Sequence, residues 1–400
     1  MKDLTRPLKE KNPVDEHGNT PMIFAAKQGH LNVVQYLASH FEDPNPARPD
    51  GTTPIYIAAE HGHLDIVHYL ASRLEDPNPA RNDGMTPLHT AAEFNHLDVV
   101  KFLTKVSKEP NPPAKDGATP IFVAAQNGRL RVVQYLARIL DDPNPARYDG
   151  ATPIYMAAQN GHFNVVQFLA SLLEDPNPEN NDGLTPIYVA AWFNHLGVVK
   201  FLTSVSKDPN PPAKFGETPI YIAAYEGHLE IVQFLASLLE DPNPARNDGM
   251  TPIHAAAEFN HLDVVKFLTS VSKDPNPPAE DGATPIFVAA QNGHLDVVKF
   301  LASILDDPNL ARNDGVTPLD IAAERGHLNV VQFLTNLVEK PKTSTPKSPI
   351  RDGTTATTPP NYLAVQQGTL DLVQNVASLV DALKKIPNQP LGGGAVNYQG

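Results

Sequence analysis

Residues 149–180 read DGATPIYMAAQNGHFNVVQFLASLLEDPNPEN, and the same design returns along most of the 400-residue chain. Its Thr-Pro pair recurs at residues 20, 53, 86, 119, 152, 185, 218, 251, 284 and 317, a constant step of 33. Each residue type in the unit has a local job. Thr152 suits a helix N-cap, because its hydroxyl can accept a free amide of the first turn. Pro153 follows where a missing N–H costs nothing. Ala157 and Ala158 keep the helix slim, and Gly161 can take the left-handed conformation that ends it. Val165, Val166, Phe168 and Leu169 then form an apolar stripe at helical spacing. Asp175-Pro176-Asn177-Pro178 is expected to end the second helix, since a residue before proline avoids the helical region. One such helix pair is too small to fold alone, whereas stacked copies bury a continuous core.

The 33-residue period, with TP, then AA five residues after the Thr, then GH, VV or IV, and FL or YL, resembles the ankyrin repeat. The resemblance covers residues 16–338 in ten copies. It implies an all-α ankyrin-repeat solenoid of helix-turn-helix units, with a degenerate capping repeat at the C-terminal end. Two departures from the family pattern matter. The glycine that usually ends the second helix is replaced by Leu74, Leu173, Ser206 or another side chain, so that helix is expected to run on to the proline. The finger that follows carries Pro-Asn-Pro in eight copies and Pro-Asn-Leu in the ninth. Each compatible proline adds about 0.4–1 kcal/mol by restricting the unfolded chain, and stiff, extended fingers with little hairpin pairing are expected. Outside the ten copies we read a polar leader at 1–15 and a Pro/Ser/Thr-rich insert at 339–357. An eroded eleventh copy at 358–384, around Thr358-Pro359 and QQGTLDLVQNVASLV, suits a cap, and a tail follows at 385–400. Thr345-Pro346 and Ser348-Pro349 are candidate phosphorylation sites in the insert.

Composition narrows the function. Net charge is −14, which argues against a nucleic-acid backbone or an anionic membrane as partner. A basic protein surface would complement it. The chain has no cysteine, so disulfides, thiolate chemistry and cysteine zinc sites are excluded. It shows no apolar signal segment and no membrane-length apolar run, and an intracellular, cytoplasmic address is expected. Fifteen histidines invite a metal or acid–base reading. Yet His30, His63, His96, His162, His195, His228, His261, His294 and His327 fill one slot, just after the helix-terminating Gly or Asn. A residue repeated once per unit reads as structural, and a hydrogen bond to its turn is expected. His89 and His254 occupy the family's T-P-L-H position, where the ring is expected to bond back to Thr. No phosphate-binding glycine loop, no His-Glu-x-x-His and no Ser/His/Asp group stands outside the repeats. No catalytic residue, cofactor or metal ligand is assigned, and an enzyme is not expected.

Partners of the family usually dock on the concave side, so its variable positions map onto the two residues after Ala-Ala and onto those flanking Asp-Gly. Trp192, the single tryptophan, and Phe193 fill the first pair in copy six. Copies three, six and eight share a sequence type, with Phe94, Phe193 and Phe259 at matching places and Asn95, Asn194 and Asn260 replacing the glycine. That recurrence fits packing against a neighbouring copy. Trp192 differs, because its counterparts Glu93 and Glu258 are acidic. In copy seven Phe215 replaces the Asp of Asp-Gly, Glu217 follows the glycine, and Tyr225 matches Trp192. Trp192, Phe193, Phe215 and Tyr225 are expected to gather on one side. Large side chains left in water forgo roughly 1.5–3 kcal/mol each, and Trp and Tyr lead binding hot spots. The expected function is a monomeric, non-enzymatic scaffold or adaptor that binds a protein partner. An elastic spacer and a host-directed effector, or a phage- or symbiont-borne ankyrin protein, fit the same array.

Overall fold

A computed structural model describes residues 13–339. The expectations for residues 1–12, the insert and its Thr345 and Ser348, the eleventh copy and the tail lie outside the described residues. Among those described, every regular element is a helix, twenty in all. The chain divides into two compact units, Met1–Glu280 and Asp281–Gly400.

Eight helix pairs belong to the first unit. They are α1 (Pro21–Lys27) and α2 (Leu31–His40), α3 (Pro54–Glu60) and α4 (Leu64–Ala71), α5 (Pro87–Glu93) and α6 (Leu97–Val106), α7 (Pro120–Gln126) and α8 (Leu130–Ile139). Then come α9 (Pro153–Gln159) and α10 (Phe163–Ala170), α11 (Pro186–Trp192) and α12 (Leu196–Val205), α13 (Pro219–Tyr225) and α14 (Leu229–Ala236), α15 (Pro252–Glu258) and α16 (Leu262–Val271). Two pairs belong to the second unit, α17 (Pro285–Gln291) with α18 (Leu295–Ile304) and α19 (Pro318–Glu324) with α20 (Leu328–Val338).

The unit at 149–180 folds as its residues require. Thr152 stands in extended backbone, its hydroxyl accepts the Tyr155 amide at 3.4 Å, and Pro153 opens α9. Ala157, Ala158, Val166 and Leu169 are fully buried. Those alanines let α9 lie against α10 and against α7 and α11 of the flanking copies. Phe168, at the edge of the stripe, is only half-buried. Gly161 has φ +71°, and Asn95, Asn194 and Asn260 are the only non-glycine residues with positive φ among the described residues. Asparagine is the side chain that tolerates this region best after glycine.

Three details differ from expectation. The second helix does not run on to the proline: α10 ends at Ala170 and α12 at Val205, ahead of Pro176 and Pro209. Leu169 and Leu202 are the last fully buried positions, so another turn would gain little from packing. The Ser171 hydroxyl also donates to the Phe168 carbonyl at 2.6 Å, a local bond that competes with helix continuation.

Second, the asparagine of Pro-Asn-Pro does more than mark a stiff finger. Asp175 Oδ1 accepts the Asn177 amide at 2.9 Å, and Asn177 Oδ1 accepts the Ile187 amide of the next copy, also at 2.9 Å. The same relay joins Asp76, Asn78 and Leu88, and Asp241, Asn243 and Ile253. A buried side chain thereby satisfies a free first-turn donor.

Third, the repeated histidine does not bond its own turn. His63, His96, His162, His195, His228 and His261 each donate Nε2–H to a carbonyl 36 residues earlier, at 2.9–3.0 Å. Each imidazole clips its copy to the preceding one. Glycine leaves room for this: a Cβ on Gly161 would lie 2.5 Å from His195 Nδ1. Fingers are linked in turn by a few bonds, such as Asn181 N–H to Asp149 O and Asn181 Nδ2–H to Tyr148 O, both at 3.0 Å, and no described finger residue lies in a strand.

Candidate protein-binding surface

The histidine clip determines what the variable slot can be. The carbonyls it holds belong to Lys27, Glu60, Gln126, Gln159, Trp192 and Tyr225, the residues directly after Ala-Ala. Glu93 O instead accepts from Arg129 Nε at 2.7 Å, where arginine replaces the histidine. The slot's backbone is thus fixed by the next copy while its side chain is free to vary. A side chain placed there is pre-positioned, which lowers the ordering cost of binding.

Trp192 is held on every flank yet remains 38% exposed. His228 holds its carbonyl at 2.9 Å, and its Nε1–H donates to Glu226 Oε1 at 3.1 Å. Its ring stacks on Phe193 with centroids 5.6 Å apart and meets Tyr188 edge-on at 6.2 Å. Tyr188 is buried, and burial raises its phenol pKa, with Glu217 adding to the effect. A neutral, buried tyrosine therefore backs the exposed indole.

The other expected residues separate into three groups. Tyr225 pairs with Phe259 of the next copy, centroids 4.0 Å apart. This is the neighbour packing expected of the recurring phenylalanine, and Phe259 remains exposed beside it. Phe193 is 47% exposed and, among the described residues, stacks only on Trp192 of its own copy. Phe94 is exposed and stacks on no ring among the described residues. Phe215, on its finger, is 67% exposed and also stacks on no other ring among those residues, so contact does not join it to the indole. Glu217 is half-buried and pairs with Arg246 Nη1 at 3.4 Å. Arg246 also forks onto the Asp248 carboxylate and lies 5.2 Å from the Tyr221 ring centroid. Its hydrogen bonds hold the Asp248 carboxyl below the usual range. Glu217 is therefore tied to an arginine that also holds its own finger.

Sequence reasoning missed Tyr148, the most exposed large hydrophobic side chain among the described residues of the first unit at 70%. It replaces the Asn of the Arg-Asn-Asp-Gly finger, a departure as visible as that of Phe215. Glu226 was missed because its role depends on the indole one copy away. Glu93 and Glu258, in the slot of Trp192, both have pKa values raised by burial, with Glu60 reinforcing the effect at Glu93. The slot is partly desolvated even where it is charged. No helix among the described residues is long and apolar enough to cross a membrane.

A model of the family described as ankyrin repeats (3 copies) matches residues 1–81, 73–147, 137–213, 205–279 and 270–344. The chain belongs to the ankyrin repeat family, whose repeats are generally protein–protein interaction modules. No curated protein matches it.

Proposed function

We propose that the chain is a non-enzymatic scaffold whose partner docks on the aromatic patch of copies six to eight. Trp192, Phe193, Tyr225 and Phe259 form its centre and Phe215 contributes from the finger. Phe94 marks an equivalent, weaker position in copy three, and Glu217 acts through Arg246. The observation that carries this reading is Trp192 itself. Four contacts fix it, yet its face stays open to water, the combination expected of a rigid hot spot. Its position after Ala-Ala corresponds to the concave, partner-facing side of ankyrin stacks. The acidic rim, with Glu226 and Glu258 nearby and a net charge of −14, favours a basic protein surface and keeps copies of the chain apart as monomers. We place this activity in the cytoplasm.

The single tryptophan makes the test direct. A partner captured from lysate is purified, and its affinity is measured for wild type, Trp192→Ala and Tyr225→Ala, with Trp192 emission followed in the two chains that keep it. We expect binding to shift the emission and each variant to lose about 2 kcal/mol, roughly 30-fold in Kd. Unchanged emission with full affinity in both variants would remove the patch from the interaction and favour a spacer.

A further inference from the structure

The end of the second helix and the turn just past it carry a feature unrelated to the aromatic patch. Val106, Ile139, Leu172, Val205, Leu238 and Val271 stand at one position in six successive copies of the first unit, each 43–47% exposed. Copies one and two have His40 and Arg73 there. Three residues further on stands a row of exposed carboxylates: Glu109, Asp142, Asp175, Asp208, Asp241 and Asp274.

The aspartates of this row are oriented by their turns, each accepting the Asn amide two residues later at 2.8–3.0 Å. None of the row has a salt bridge among the described residues, whereas Asp83, Asp149 and Asp248 on the fingers are paired with arginines. Asp141, Glu174 and Glu240 add further exposed carboxylates, with Lys108, Lys207 and Lys273 at the same place in the other sequence type. The result is an aliphatic row flanked by a predominantly acidic one, nine carboxylates against three lysines, with no salt bridge to the carboxylate row among the described residues.

We propose that this edge is a second docking surface, and that it takes a basic amphipathic helix of a protein partner. Three arguments select that occupant. The unpaired carboxylates call for lysine and arginine, and they disfavour a second copy of this acidic chain. The edge offers side chains but no strand to extend, so it suits a partner whose backbone is already satisfied internally. Stacked helices repeat about every 8–10 Å, and seven residues of α-helix rise about 10.5 Å. One apolar side chain every second turn would therefore meet one aliphatic residue per copy.

The test uses the full chain and a synthetic peptide of about four heptads, with leucine at every seventh position and lysine beside it. Anisotropy of the labelled peptide is followed against protein concentration. A peptide of the same composition with shuffled leucines should bind at least tenfold more weakly. The triple variant Leu172→Ser, Val205→Ser and Leu238→Ser should lose at least tenfold for the ordered peptide, and Trp192→Ala should bind it like wild type. The substituted positions are exposed, and unchanged circular dichroism confirms that the fold persists. A second variant, Glu174→Lys with Glu240→Lys, should also weaken binding and steepen its fall with salt less than wild type does. Equal binding of the shuffled peptide, full binding by the triple variant, or loss in Trp192→Ala would each overturn the proposal. The aromatic patch would be unaffected by any of the first two results, because its readout is the partner captured through Trp192.

Discussion

The third and eighth repeats place His89 and His254 where the sixth places Tyr188, and Glu93 and Glu258 where the sixth places Trp192. In copy three, His89 Nδ1 accepts from both the Thr86 amide, at 3.1 Å, and its hydroxyl, at 2.9 Å, while Nε2–H donates to Ala118 O at 3.1 Å. His254 makes the same two contacts with Thr251, at 3.1 and 3.0 Å. In copy six only the simpler cap survives, from the Tyr188 amide to Thr185 Oγ1 at 3.3 Å. The ring that replaces the imidazole instead supports Trp192. Sister copies thus use one position in two ways, as a buried polar clasp or as backing for an exposed aromatic.

The largest effect should come from removing the clasp. His89→Ala leaves buried donors and a carbonyl unpaired and opens a cavity, and is expected to cost about 2–4 kcal/mol in urea unfolding. Tyr188→Phe in copy six should stay within about 1 kcal/mol. A large loss in copy six would show that its tyrosine is also a clasp.

Acid should separate the sisters next. His89 is buried, and burial lowers its pKa from 6.5 to about 4. Protonation at Nδ1 would also break the contact with the Thr86 amide, although the Thr86 hydroxyl could turn to accept from Nδ1–H. The folded state binds fewer protons than the unfolded one between those values, so stability falls as pH drops from about 6.5 towards 4. The loss reaches roughly 3 kcal/mol at the lower end. The carboxyls of Asp83 and Asp149, lowered by their arginines, lose their contribution only further down, as pH falls below their ordinary value of 3.8. Urea midpoints across this window should flatten in His89→Asn.

The turn gives a smaller contrast. Gly161→Ala puts a Cβ at φ +71°, 2.5 Å from His195 Nδ1, and should cost about 1–3 kcal/mol. Asn194→Gly, at φ 62°, should change stability by no more than about 0.5 kcal/mol. A comparably small effect on stability should come from Tyr188→His, which installs the clasp in copy six. Melting should move by less than about 1 kcal/mol, while affinity for the Trp192-dependent partner falls about tenfold as the indole loses its support.

Much of the fold was legible because its rules act within one unit. Thr-Pro opened each first helix and Ala-Ala allowed close packing, while Gly or Asn closed the turn, each through backbone geometry a few residues wide. The site was legible in part. Glu in the sister slots signalled that Trp192 would be exposed, and it is. Phe215 shared its copy with Tyr225 but does not meet it, because the finger lies apart from the helix end. The histidines were misread in partner, although their structural role was read correctly, since one slot cannot reveal which neighbouring turn it reaches.

The amino-acid order alone therefore determined the period, the helix starts and the left-handed turns, all local consequences of φ preferences and caps. Tertiary structure decided that His228 pins Trp192, that Asn177 caps the helix ten residues on, and that Glu217 belongs to Arg246. Each of those partners is contributed by an adjoining copy, 10 to 36 residues away. Only stacking brings such groups within hydrogen-bond reach, so no spacing inside a single repeat could specify them.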